Sequence, residues 1–421
     1  MDEITEEPTA LVERVAALDI GKATLTACVR VPHETKPGRR RQEVRTCATT
    51  TRSLLGLRDW LVCQGVTRVV MEATSAYWKP PFYLLEDDIA ECWVVNARDV
   101  KNVPGRPKTD KLDAVWLAKL AERGMLRPSF IPPRPQRQLR DLTRYRRTLT
   151  QERSREKQRA EKLLEDAQVK LSSVISDIFG VSGRDMLAAL IAGQRDPYAL
   201  ADLARKSMRA KMSVLRQALT GHFTDHHAFL LGMMLDRTDA LTAQIDALTA
   251  RIEEAIAPFA AQVAQLDEIP GVGITTAQEI LAETGTDMSR FPTPGHLVSW
   301  AKFAPKARQS AGRAKAAATG KGSPWLGGTI GEAAVSAART QTFLAARYKR
   351  IVRRRGKKRA LVAVGNSILT ITWHLLSDPG AHFTDLGPDW HDRLAPLRRK
   401  RQLIAELERL SGKKVTLHDA A

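Results

Sequence analysis

Four acidic residues in this chain have the type and spacing that phosphoryl transfer requires: Asp19 in VAALDIG, Glu72 in RVVMEAT, and Asp110 and Asp113 in KTDKLDA. Asp19 closes the first expected strand and Glu72 closes the strand expected beside it. Both carboxylates would therefore project at one edge of a sheet, the edge where open α/β sheets form their sites. Asp110 and Asp113 are three residues apart at the start of an expected helix and share one of its faces. Carboxylates gathered this closely repel one another, so the cluster calls for divalent cations, and hard oxygen ligands select Mg²⁺ or Mn²⁺. A pair of such ions about 4 Å apart activates the attacking oxygen and stabilises the leaving oxygen of a phosphodiester. Singly, each acid has a plainer role: Asp19 starting a turn, Asp110 capping its helix, Asp113 facing solvent.

The elements that must carry these acids are legible in the apolar pattern. Short β-branched runs at Val15 to Ile20, Leu25 to Val31, Arg68 to Met71 and Cys92 to Val95 alternate with helical or turn segments, an α/β pattern. Gly21-Lys22-Ala23 suits a hairpin between the first two runs, and a further strand near Glu43 to Ala48 follows the basic loop Lys36 to Arg41. Helices are expected at Ser53 to Cys63, Tyr77 to Leu85 and Asp110 to Arg123. Three meander strands followed by alternating helices and strands is the order of a ribonuclease-H-like domain.

After the Pro-rich hinge Arg127 to Pro135 the composition shifts to long polar helices, beginning with an Arg-dense stretch from Arg137 to Lys162. Leu241, Ile245, Leu248 and Ile252 repeat at spacings of four and three, a coiled-coil seam that fits equally a helix packed within its own subunit. From Leu266, LDEIPGVGITTAQEILAETG is a helix-hairpin-helix signature, in which Gly271 and Gly273 would turn backbone N–H groups toward a phosphate. A second basic concentration runs from Arg347 to Arg359, and a last helix carries Arg398 to Arg401. The four expected parts are 1–126, an α/β catalytic domain; 127–262, a helical coiled-coil region; 263–378, a mainly helical domain; and 379–421, a basic tail helix.

The chain of 421 residues is long enough for several cores. Its formal net charge of +19 arises from 66 Lys and Arg against 47 Asp and Glu, a folded nucleic-acid binder's balance rather than a disordered basic arm's. No amphipathic lipid-facing helix and no span of about 20 apolar residues is evident, so no membrane partner is expected. The acidic start MDEITEEPTA does not read as an export signal, and a cytoplasmic location is expected. Cys28, Cys47, Cys63 and Cys92 stand singly and read as small buried apolar residues, neither zinc ligands nor a disulfide framework.

LDIGKAT is similar to the first phosphate loop of actin-like and sugar-kinase ATPases, but the second Asp-x-Gly turn and the adenosine loop of those proteins are missing. ATGKGS near residue 320 has Gly322 where a P-loop needs Ser or Thr for Mg²⁺. Nucleotide hydrolysis is thereby set aside.

LDIGKATL at Asp19, MEATSAYW at Glu72, KTDKLDA at Asp110 and Asp113, IPGVGITTAQEILAETG, FAPKARQSAG around Ser310 and KLSSVISDIFGVSGRDMLAALIAG together resemble the DEDD transposases of insertion sequences. The resemblance runs through most of the chain. It implies a RuvC-like domain joined to a serine-bearing transposase domain, guidance by a bridge RNA, and Mg²⁺ at Asp19, Glu72, Asp110 and Asp113. It also implies that Ser310 is a nucleophile forming a phosphoserine link to DNA. No His or Lys is marked by sequence as its general base, so activation by a metal site brought in from another domain or subunit is expected. Local sequence alone makes Ser310 a loop hydroxyl beside Arg308, Arg313, Lys315 and Lys321, candidate nucleic-acid contacts. Many members follow the serine directly with Gly, whereas here Ala311 precedes Gly312.

The expected activity is cutting and rejoining of donor and target DNA by a dimer or tetramer that also binds RNA. Two rivals stand beside it: a RuvC-like junction-resolving nuclease using water instead of serine, and a non-catalytic architectural nucleic-acid binder.

Overall fold

The computed structural model describes residues 12–73, 75–96, 110–305, 309–310, 313–314, 319–393 and 396–415. The chain divides into two compact units, Met1–Pro132 and Pro133–Ala421, the division falling inside the Pro-rich stretch.

The first unit is a mixed five-stranded sheet of β1 (Val15–Ile20), β2 (Thr24–Pro32), β3 (Arg40–Ala48), β4 (Arg68–Glu72) and β5 (Glu91–Val95) in the order β3-β2-β1-β4-β5. β1 runs antiparallel to β2 and parallel to β4, and β4 runs parallel to β5. The near-continuous apolar sequence of β1 and β4 follows from cover on both faces. Helices α1 (Thr51–Cys63) and α2 (Lys79–Leu85) bury Leu54, Leu57, Leu61, Phe82 and Leu85 against Ala16, Leu18, Ile20, Val69 and Met71. Helix α3 (Asp110–Glu122) covers the opposite face, with Ala114, Leu117, Ala118 and Ala121 on Val15, Ala17, Cys28, Val70 and Val95.

Arg40 and Arg41, read from sequence as loop, lie within β3 opposite Pro32 and Val31. Arg40 belongs there because its guanidinium bonds the buried Glu122 carboxylate at the end of α3, as does that of Arg30 on β2 at 2.7 Å. Cys28 is buried, and burial pushes its thiol up to about 11; burial likewise pushes the half-buried Cys92 up to about 12. Cys63, expected to be buried, is exposed near the end of α1, where the apolar stripe turns away.

Among its described residues the second unit is helical apart from one short hairpin and the connecting loops. Helix α4 (Arg134–Asp166) and helix α5 (Asp225–Ile256) form a long antiparallel pair. Leu241 and Ile245 pack on Leu149, while Ile252 joins the core that contains Leu139. The heptad-like stripe is thus filled from within the chain. The segments between them fold around Leu164, Leu171, Met186, Leu187 and Leu231, one cluster at the far end of the pair. At the near end, α6 (Ile274–Thr284), α7 (Pro324–Ala337), α8 (Phe343–Arg355) and α9 (Lys357–Ser377) enclose the main core with Leu281, Ile330, Leu344, Val364 and Ile368. α9 is long and apolar enough to cross a membrane, and here its buried side is the centre of that core. A final helix, α10 (Pro396–Ser411), leaves Leu403, Leu407 and Leu410 exposed.

Candidate functional site

The alternation along β1 and β4 decides where the first two acids point. Val15 and Ala17 face α3, so Asp19, two residues further, belongs to the same face. Val70 also faces α3, and so by the same period does Glu72. β1 and β4 pair in register through Leu18 and Met71, which brings Asp19 and Glu72 level, one step beyond.

The direction of α3 brings in the third acid. Its last residue, Glu122, bonds Arg30, which lies opposite Val15 at the start of β1, and its carbonyl accepts the Val12 N–H at 3.0 Å. Helix α3 therefore runs antiparallel to β1, its first turn lying toward the strand's carboxyl end. From Glu122 to Asp113 the helix rises about 13 Å, and from Val15 to Asp19 the strand advances about 13 Å. Asp113 precedes Leu117 and Ala121 by one and two turns, so it lies on the sheet-facing stripe, level with Asp19 and Glu72. All three are half-buried.

The backbone of Asp110 opens α3, one turn before Asp113, and its side chain lies outside the described residues. Among the described residues no three His, Cys, Asp or Glu side chains converge closely enough to hold an ion by themselves. The fold brings Asp19, Glu72 and Asp113 to one face and one level rather than into a closed cage. The donors there are hard carboxylate oxygens, which suit Mg²⁺ or Mn²⁺.

Two hydroxyls that sequence did not single out stand in the same row. Thr26 is paired with Asp19 across β1 and β2, is buried, and lies 3.2 Å from the Thr46 hydroxyl on β3. No local motif marks them; only the register does. Cations gather at the opposite end of the sheet: Arg30 and Arg40 on Glu122, and Arg68 on Glu91 with its guanidinium over Trp93.

Glu122 fixes α3 to the sheet and so sets the height of Asp113. Burial disfavours its charge, but hydrogen bonds and charge from Arg40 and Arg30 outweigh burial and hold its carboxyl below the usual range. Because the folded-state pKa is the lower one, this stabilisation is complete above about pH 4.5 and is lost as the pH falls through the folded value. Glu122→Gln is expected to destabilise the first unit by about 3 kcal/mol at neutral pH. In thermal unfolding the gap to wild type should narrow on acidification; a pH-independent gap contradicts this role.

Ser310 lies on a short hairpin in the second unit. Gln309–Ser310 pairs antiparallel with Arg313–Ala314, Ser310 opposite Arg313, and a second bridge joins Pro305 to Thr319. The arm is rooted at Phe303, whose ring fills the space that a side chain at Gly365 of α9 would occupy, and whose carbonyl accepts the Asn366 amide at 3.4 Å. Only the backbone of Ser310 and Arg313 is described, and Arg308 and Lys315 lie outside the described residues. Lys321 is exposed, two residues before Ser323, which caps α7.

The predicted helix-hairpin-helix turn joins the helix Ala260–Asp267 to α6. Gly273 caps α6 with an exposed backbone. Gly271 has φ +88°, and a Cβ there would meet the Ala333 carbonyl and the Ala337 nitrogen of α7 at 2.5 Å. Its need for glycine thus comes from close packing. Gly271→Ala is expected to cost about 3 kcal/mol of stability in the second unit, measurable by urea unfolding; unchanged stability would rule that packing out as the reason.

The two basic concentrations separate in the structure. Along α4, Arg144 makes a two-pronged bond to Glu283 at 2.7 and 2.9 Å, Arg147 bridges Glu279 and Glu332, and the buried Arg146 donates to Gln278 at 3.0 Å. These arginines hold α4 to α6 and α7. On α8, by contrast, Arg347, Lys349, Arg350, Arg353, Arg354 and Arg355 have no acidic partner among the described residues. That helix is the candidate nucleic-acid surface.

Residues 16–168 match the model of the IS110-type DEDD transposases, and residues 263–349 match that of the IS116/IS110/IS902 transposase family. No curated protein matches the chain. The two matches, in this order, define an enzyme that moves an insertion sequence: a DNA transposase. The chain belongs to the DEDD transposases of the IS110 family.

Proposed function

We propose that this transposase cuts and rejoins donor and target DNA by Mg²⁺-dependent phosphoryl transfer, with Ser310 as nucleophile and with guidance by a bridge RNA. The placement of Asp19, Glu72 and Asp113 on one face at one level carries the reading, and the five-strand order supports a RuvC-like, ribonuclease-H-type assignment of residues 1–126. Asp110, one turn before Asp113, completes the donor set. Bound there, Mg²⁺ or Mn²⁺ would supply charge stabilisation for the attacking and leaving oxygens. The carboxylates hold and orient that charge. The Ser310 hydroxyl attacks phosphorus; its oxygen–phosphorus bond forms as the bond to the leaving sugar oxygen breaks, and that oxygen takes up a proton.

The cationic side of α8, with Lys321 and the exposed Gly273 turn, supports contact with DNA and RNA backbones. Gly271, Arg308, Arg313 and Lys315 are further candidate nucleic-acid contacts on the sequence reading alone. The further division at 127–262, 263–378 and 379–421 belongs to this reading. Recombination needs several strands cut together, so a dimer or tetramer is proposed, and the exposed Leu403, Leu407 and Leu410 offer it a seam.

The test is recombination between plasmids bearing the element's ends and a target, with purified protein and its copurifying RNA. Junction products that require Mg²⁺ and the RNA are expected. Products formed equally in EDTA, or equally after RNase, would overturn the metal or the RNA part respectively.

A further inference from the structure

A cavity of about 440 Å³ opens in the second unit between α8, α9 and the strap that follows α9, within the usual range for small-ligand sites. Phe343 and Phe383 line it together with Asn366, Ser367, Thr370 and Arg347. Its wall is built in advance. Gln265 donates to the carbonyls of Asp378, Pro379 and Ala381 at 3.2, 3.1 and 3.0 Å, and the Glu268 carboxylate accepts the Phe383 N–H at 2.7 Å and faces the His382 ring at 2.7 Å. Asp385 accepts the Phe343 N–H at 3.0 Å, which ties the strap to the start of α8.

We infer that this cavity receives a nucleobase swung out of its stack, with the adjoining phosphate on Arg347 and Arg350; this rests on the nucleic-acid reading above. Aromatic rings suit the faces of a base; the Asn366 amide and the Ser367 and Thr370 hydroxyls donate to the Phe303, Ala363 and Asn366 carbonyls and present their oxygens as acceptors for the amino groups of its polar edge. Arg347 is half-buried, its only described bond is to the Ala363 carbonyl at 3.4 Å, and no carboxylate neutralises it among the described residues. An anion is the partner it lacks, and the cations one to two turns along α8 continue the path a strand's phosphates would follow. Asn366 also holds the Phe303 carbonyl at the root of the Ser310 arm. A base in the cavity would thereby bear on the seat of that arm.

The full-length protein is titrated with short single strands, one set DNA and one RNA, in which each position in turn is abasic, and with matched strands carrying 2-aminopurine at that position. At one position, loss of the base should weaken wild-type binding about tenfold, as stacking one base on aromatic side chains implies. Thr370→Phe, which fills the cavity, should erase that difference while abasic strands bind as before with the same thermal unfolding. Arg347→Gln should weaken binding of both kinds of strand and lower the salt slope by about one. The set that shows the difference identifies the source as DNA or RNA. Equal binding of intact and abasic strands at every position in both sets, or a difference that survives in a folded Thr370→Phe, overturns the inference. Failure to bind any strand instead defeats the nucleic-acid reading on which it rests.

Discussion

Asp19→Asn is expected to reduce Mg²⁺-dependent strand cleavage by about a thousandfold or more, while DNA and RNA binding persist. Asp19 lies beside Glu72 on the parallel strand, with Asp113 level with both on the covering helix. Mg²⁺ should raise the unfolding temperature of wild type and leave that of Asp19→Asn nearly unchanged. Loss of cleavage accompanied by an equal metal-induced rise in both proteins would show that Asp19 does not hold the ion. Full recombination by the variant would remove it from the site altogether.

Ser310→Ala is expected to abolish an SDS-resistant protein–DNA adduct and, with it, strand exchange. The phosphoserine ester retains one phosphodiester's worth of bond energy, so a second sugar hydroxyl can displace Ser310 and seal the strand without ATP. A water-using nuclease would leave a free phosphate and no adduct, and would be indifferent to the serine. Since Ser310→Ala removes one hydroxyl from a two-residue strand and leaves its backbone pairing with Arg313 intact, the variant should unfold at the same temperature as wild type. An adduct that persists in Ser310→Ala would move the nucleophile to another residue. Cleavage without any adduct in wild type would favour the junction-resolving alternative.

The candidate site divides between what neighbouring residues in the chain can signal and what they cannot. Asp19 and Glu72 were legible because strand period and strand ends are local features: the run of β4 stops at Glu72, and Asp19 is the penultimate residue of β1. The KTDKLDA spacing likewise places Asp113 on a helical face. Thr26 and Thr46 gave no such signal, because they adjoin Asp19 only through the register of three strands. Glu122 gave none either, since its partners Arg30 and Arg40 are more than eighty residues away.

Sequence by itself determined the strands of the first unit, the long helices of the second, the ends at which the acids sit and the excess of positive charge, all of which follow from local periodicity and composition. Tertiary structure alone decided which cations are spent within the molecule. The arginines of α4 and the cations of α8 look alike in the chain, yet Glu279, Glu283 and Glu332 pair with the first set while the second has no acidic partner among the described residues. The same holds for the leucine stripe of α5, which Leu149 of α4 covers from within the chain, and for Gly271, whose constraint is the approach of α7. Pairing, coverage and close approach depend on residues distant in sequence, so no window along the chain contains them; the placement of three acids at one level on one sheet face is of this kind too.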